Sequence, residues 1–128
     1  MDRLEEVFAL QKSLNEEIRR TRGLRMEGGE WIQKETLAML SEMAELLDEV
    51  HFKWWKNPSP IDQVRVKEEL VDILHFFVSM CLDAGMTAEE LHRMYIEKHQ
   101  ENLDRQHGLS AKPGYAVDEL QNDGGDRN

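Results

Sequence analysis

A chain of 128 residues, 40% hydrophobic and 33% charged, has room for one sound core and little for a second. Its 26 acidic against 16 basic residues leave a formal charge of −10, which argues against wrapping a nucleic-acid polymer or adsorbing to an anionic membrane. The single cysteine, Cys81, allows neither an internal disulfide nor a zinc constellation, and the opening MDRLEEVFAL lacks the apolar run of a leader peptide, so the expectation is a cytoplasmic protein. The longest greasy stretch, 73–82, is about ten residues and contains His75, far short of the roughly 20 that cross a bilayer.

Helical rather than alternating periodicity marks four segments, at roughly 2–21, 30–55, 61–84 and 87–107. Gly23, Gly28 and Gly29 break the first from the second, Pro58 and Pro60 the second from the third, and Gly85 the third from the fourth. Thr87 and Glu90 form a capping-box pair at the start of the last. The fold class is all-α, a four-helix bundle-type subunit over 1–115 with a flexible tail at 116–128. The third helix is nearly apolar all round from Val71 to Leu82, more than one short chain covers, so a larger bundle formed by a homodimer or higher homo-oligomer is expected.

The first helix has a seam of Leu4, Val7, Phe8, Leu14 and Ile18 that Gln11 and Asn15 interrupt four residues apart. A side-chain amide offers both a donor and an acceptor, the combination that reads a pyrimidine edge; hydrogen bonding between helices explains the pair equally well. On the second helix Glu42, Glu45 and Glu49 line one edge of a broad apolar arc, which by itself reads as a solvated acidic face. Lys53-Trp54-Trp55-Lys56 falls at the predicted end of this helix, where adjacent tryptophans point apart. One would be core, and the other a stacking platform for a base or sugar, or half of a dimer contact.

The third helix is more informative. Glu69 and Asp72 share a face with Ile73, Phe76 and Met80, so they should be partly desolvated and need a cation, a proton or a basic partner. Glu42-x-x-Glu45 and Glu69-x-x-Asp72 on adjacent antiparallel helices can build an oxygen cage, which favours Mg²⁺ or Mn²⁺ over Zn²⁺. His75 suits a supporting hydrogen bond better than a ligand. The second helix has no Glu-x-x-His, so a di-iron bundle is a weak reading. On the fourth helix Lys98, Asn102 and Arg105 make one stripe, flanked by Tyr95 and Tyr115, that suits phosphate oxygens or a solvated face.

In order and spacing these motifs resemble the all-α nucleoside triphosphate pyrophosphatases, the group of the MazG proteins and the dimeric dUTPases. The finer marks are similar to the dimeric dUTPases: Gln11 with Leu14-Asn15, the Lys-Trp-Trp-Lys run, Asp-Ile-Leu-His-Phe at 72–76, and Lys98, Asn102 and Arg105-Gln106. The resemblance implies that Glu42, Glu45, Glu69 and Asp72 hold Mg²⁺ and that Glu45 activates the attacking water. It also implies that Gln11 and Asn15 read uracil, with Trp55 near the base and Phe76 against the deoxyribose. Lys98, Asn102 and Arg105 would hold the phosphates, helped by Lys56 and Tyr115, and the products would be dUMP and pyrophosphate. Two other readings stay open: a MazG-like pyrophosphatase of other or several nucleotides, and a nonenzymatic helical dimer that binds a nucleotide or a protein.

Overall fold

The computed structural model describes residues 1–112, and its regular structure there is helical throughout: α1 (Arg3–Thr21), α2 (Gly28–Glu49), α3 (Gln63–Asp83) and α4 (Ala88–Gln106). The expected tail at 116–128 and Tyr115 lie outside the described residues. The chain forms two compact units, Met1–Ala88, which holds α1 to α3, and a second from Glu89 onward, which holds the rest of α4. Among the described residues no single helix is long and apolar enough to cross a membrane.

Local hydrogen bonds start α1 and α3 and end all four helices. Asp2 and Glu5 satisfy each other's backbone N–H groups in a capping box, and Asp62 accepts from the N–H groups of Val64 and Arg65. Helix α4 starts at Ala88, directly after Thr87. All four helices end on the same paired backbone bonds, with the following residue in the left-handed region: Gly23 after α1, His51 after α2, Gly85 after α3 and Gly108 after α4.

The one non-glycine stop explains where the sequence reading fails. The sequence pattern predicts that α2 runs to residue 55, yet it ends at Glu49, because His51 adopts φ 57°. The N–H groups of His51 and Phe52 close back on Asp48 and Leu47. A histidine carries a Cβ penalty in that conformation. Its ring compensates locally, with Nε2 3.2 Å from both the Pro60 carbonyl and Ser59 Oγ. The Lys-Trp-Trp-Lys run therefore lies in the α2–α3 loop, not on a helix.

Within the first unit α3 packs most extensively on α2 and next on α1. The register is visible in the side-chain bonds. Gln11 meets His75, Asn15 meets Ser79 and Arg19 meets Asp83, so α1 and α3 run parallel. Glu49 meets Arg65 and Thr36 meets Met80, so α2 runs antiparallel to α3. Gly28 lets the start of α2 approach the end of α3, since a Cβ there would sit 3.0 Å from the Asp83 carbonyl. Val78 and Cys81 of α3 are buried with Phe8 of α1, while Val71, Leu74 and Phe77 on other faces of α3 stay exposed.

The strained stop is testable. His51→Ala and His51→Gly both lose the ring contacts, but only alanine keeps the Cβ penalty, so the alanine variant should be less stable by about 1 kcal/mol. Equal denaturation midpoints for the two would contradict a left-handed stop at this residue.

Candidate active site

Three helical stripes of the first unit enclose a cavity of about 580 Å³, within the range that holds a small ligand. Helix α1 contributes Gln11, Asn15 and Arg19, α2 contributes Trp31, Glu35 and Glu42, and α3 contributes Asp72, Phe76 and Ser79. The spacings of three, four and seven residues are helical repeats, which keep each set on one face.

One end of the cavity carries a continuous hydrogen-bonded chain. His75 Nδ1 lies 2.7 Å from Gln11 Oε1, Gln11 Nε2 donates to Asn15 Oδ1 at 2.9 Å, and Asn15 Nδ2 donates to Ser79 Oγ at 2.8 Å. Ser79 Oγ in turn donates to Glu35 Oε1. Arg19 closes the chain by donating to Glu35 Oε1 at 3.2 Å and to both oxygens of Asp83 at 3.0 and 2.9 Å. Its guanidinium also stacks 3.8 Å from the Trp31 ring centroid. Burial and the neighbouring Asp83 carboxyl push Glu35 up to about 7, against the partial relief that Ser79 and Arg19 give.

Farther along α2 and α3 the carboxylates gather. Oxygens of Glu42, Glu69 and Asp72 all lie within 4.8 Å of one another and could hold a cation. The Glu42 carboxylate, loss of water and the Glu45 carboxylate raise Glu69 to about 7, which places Glu45 beside the same group. Glu69 Oε2 is shielded from solvent and receives no hydrogen bond among the described residues. Glu49, on the same edge of α2, instead pairs with Arg65 at 3.4 Å.

The structure thus brings Gln11, Asn15, Phe76, Glu42 and Asp72 to one cavity, with Glu69 and Glu45 in the adjoining cluster. Trp55 and Lys56 are on the α2–α3 loop and do not line it. The expectation that the tryptophans point apart, one of them into the core, is corrected. Trp54 and Trp55 are 84% and 61% exposed, and their rings meet edge to face at 4.8 Å, because a loop rather than a helix carries them. Lys98, Asn102 and Arg105 share one face of α4, in the second unit, and Tyr115 lies outside the described residues. Sequence reasoning passed over Arg19, Trp31, Glu35, Ser79 and Asp83. The available signal was the continued repeat, since Glu35 precedes Glu42 by one heptad and Ser79 follows Asp72 by one.

Residues 3–86 match the protein family described as dUTPase. The dCTP pyrophosphatase of Enterobacteria phage T4 is 37% identical over 87 residues, 57% of this chain and 51% of that protein. The dCTP pyrophosphatase of Enterobacteria phage LZ5 is 37% identical over 74 residues, 58% of this chain and 43% of that protein. A DNA replication protein of phage T4 is 35% identical over 85 residues, 56% of this chain and 22% of its own length. The chain therefore spans about half the length, or less, of these curated relatives. No solved structure matches.

Glu35 and Glu69 both stand near 7 in the folded chain against an ordinary 4.5, so folding takes up protons. Their contribution to stability is complete below about pH 4.5 and is lost as the pH rises through about 7. With EDTA present and ionic strength fixed, Tm should fall between about pH 5 and about pH 8, and Glu35→Gln should flatten the fall. A Tm that climbs across that window would contradict the assignment.

Proposed function

On the premise that this chain belongs to the all-α, MazG-like dUTPase family, we propose that it is a metal-dependent nucleoside triphosphate pyrophosphohydrolase that cleaves dUTP to dUMP and pyrophosphate. The observation that carries this reading is the adjacency, on three helices, of an amide-lined cavity and a cluster of three carboxylates. Hydrolysis of a phosphoanhydride needs a binding site for the organic half, charge neutralisation at phosphate and a base for water.

The donor set fits a hard divalent ion. It is all oxygen, and the Glu42 carboxylate, loss of water and the Glu45 carboxylate raise Glu69 to about 7, so that it is protonated about half of the time at neutrality. Glu69 Oε2 is buried without a donor, which a cation in the cluster would satisfy. Glu42, Glu45, Glu69 and Asp72 are the residues that would hold Mg²⁺, with Mn²⁺ as a substitute. Once bound, such an ion lowers the pKa of water and neutralises phosphate oxygens. Glu45 is exposed at the edge of the cluster and is assigned the proton of the attacking water. Gln11 and Asn15 meet the uracil edge, and Phe76 packs on the deoxyribose. From the family resemblance, Lys98, Asn102 and Arg105 are assigned the phosphates, and Trp55, Lys56 and Tyr115 supporting contacts with the nucleotide.

Two further points belong to this reading. The names of the phage relatives favour dCTP as the competing substrate. The chain is also expected to act as a homodimer, since Leu37, Leu40, Val71 and Leu74 leave apolar surface on α2 and α3 between 46% and 67% exposed.

Pyrophosphate release from dUTP, dCTP, dTTP, dATP, dGTP and UTP, with Mg²⁺ and with EDTA, tests the function. Metal-dependent turnover with dUTP preferred is the expected result. Broad turnover would retain the carboxylate chemistry and remove the uracil assignment. Silence across the panel would leave a binding module. Glu45→Gln should fold normally and lose about 10²–10⁴-fold in kcat, and near-wild-type kcat would remove Glu45 as the base. Glu69→Ala should shift the Mg²⁺ titration to higher concentration, and an unshifted curve would remove Glu69 as a ligand.

A further inference from the structure

The amide pair in the cavity is not free to choose its orientation. Arg19 carries only donors, and its Nη2 lies 3.2 Å from Glu35 Oε1, so that oxygen is an acceptor and any proton on Glu35 goes to Oε2. Ser79 therefore donates its hydroxyl to Glu35 Oε1 and turns a lone pair to Asn15, which presents Nδ2 at 2.8 Å. Asn15 Oδ1 then faces Gln11 and accepts from Nε2 at 2.9 Å. Gln11 Oε1 is left to accept from His75, 2.7 Å away, which makes Nδ1 the protonated ring nitrogen. Each polarity follows from the arginine at the end of the chain.

From Gln11 Oε1 to Asn15 Nδ2 the polar atoms read acceptor, donor, acceptor, donor. Each nitrogen keeps one N–H, and each oxygen one lone pair, beyond those the chain uses. Uracil also alternates along its edge: O2 accepts, N3–H donates and O4 accepts. Gln11 Nε2, Asn15 Oδ1 and Asn15 Nδ2 complement that order. Cytosine differs, because O2 and N3 both accept and the N4 amine donates, so it needs two adjacent donors. Turning over Asn15 alone supplies them, but this sets its N–H groups against those of Gln11. The same turn brings its oxygen to Ser79, whose hydroxyl must then leave Glu35. Turning both amides together only restores the alternation.

We propose that Arg19, Glu35 and Ser79 form a polarity lock that holds Asn15 in the uracil-reading orientation and so selects deoxyuridine over deoxycytidine nucleotides. The inference rests on this cavity being the base site of the proposed function. The three are positioning residues, acting on the base through Asn15. The lock also states what a cytosine-preferring site on this scaffold would have to change, namely the acceptor that Ser79 meets.

The test compares kcat/KM for dUTP and dCTP with calorimetric Kd values for dUMP and dCMP, in wild type, Ser79→Ala and Ser79→Thr. Wild type should prefer uracil in both measures. Ser79→Ala removes the restraint that Ser79 places on Asn15 and should lower the uracil-to-cytosine ratio by about tenfold, the size of one buried hydrogen bond exchanged. The change should appear in KM and Kd rather than kcat, and Ser79→Thr should restore the ratio. If Ser79→Ala fails to fold, Glu35→Leu, which leaves Arg19 paired with Asp83, should show the same fall. A wild type that prefers cytosine, or a ratio unmoved in these variants while dUTP turnover persists, overturns the lock and leaves the hydrolase. Base-selective binding that shifts as described without any turnover keeps the lock and removes the hydrolase.

Discussion

The first unit depends on one arginine. Arg19 of α1 reaches Asp83 of α3 through two hydrogen bonds and Glu35 of α2 through a third, and so ties three helices at a single side chain. Glu35 and Asp83 expose only 11% and 8% of their side chains, and an unpaired carboxylate there would be costly. One guanidinium cannot fully neutralise two carboxylates. Burial and Asp83 accordingly hold Glu35 near 7, so it carries a proton for much of the time at neutrality. Trp31 covers the guanidinium face and completes the cluster.

The register set there propagates along the helices. A parallel step of four residues on α1 and α3 carries the contact from Arg19–Asp83 to Asn15–Ser79 and on towards Gln11–His75. On α2 and α3 one heptad separates the lock residues Glu35 and Ser79 from the carboxylates Glu42 and Asp72, about 10 Å along each axis. The amide pair and the carboxylates are thereby held on one rigid frame, with the cavity between them. A polar chain of this kind is costly to disturb, since reorienting one member leaves buried groups unsatisfied.

Much of this was legible in the sequence. Apolar periodicity gave the four helices, and glycine marked three of the four stops. Gln11 and Asn15 stood out because they interrupt an apolar seam, and Glu69 and Asp72 because they sit on the greasiest helix. What was not legible has physical causes. His51 does a glycine's work, and the bonds that support it come from the loop residues Ser59 and Pro60. Arg19 and Asp83 lie in the last turns of α1 and α3, where charge ordinarily means solvent, Glu35 lies two turns inside α2, and only the three-helix register shows them facing one another. Trp54 and Trp55 misled because their assignment to a helix depended on the missed stop.

The central claim is that one cavity holds the base at Gln11 and Asn15 and the phosphates at the carboxylate end. A crystal structure with Mg²⁺ and a nonhydrolysable dUTP analogue with nitrogen bridging the α- and β-phosphorus tests it most directly. The expected result is the uracil edge on the two amides, with Asn15 still bonded to Ser79, and metal among Glu42, Glu45, Glu69 and Asp72. Nucleotide bound elsewhere, or a base against the carboxylates, would contradict it.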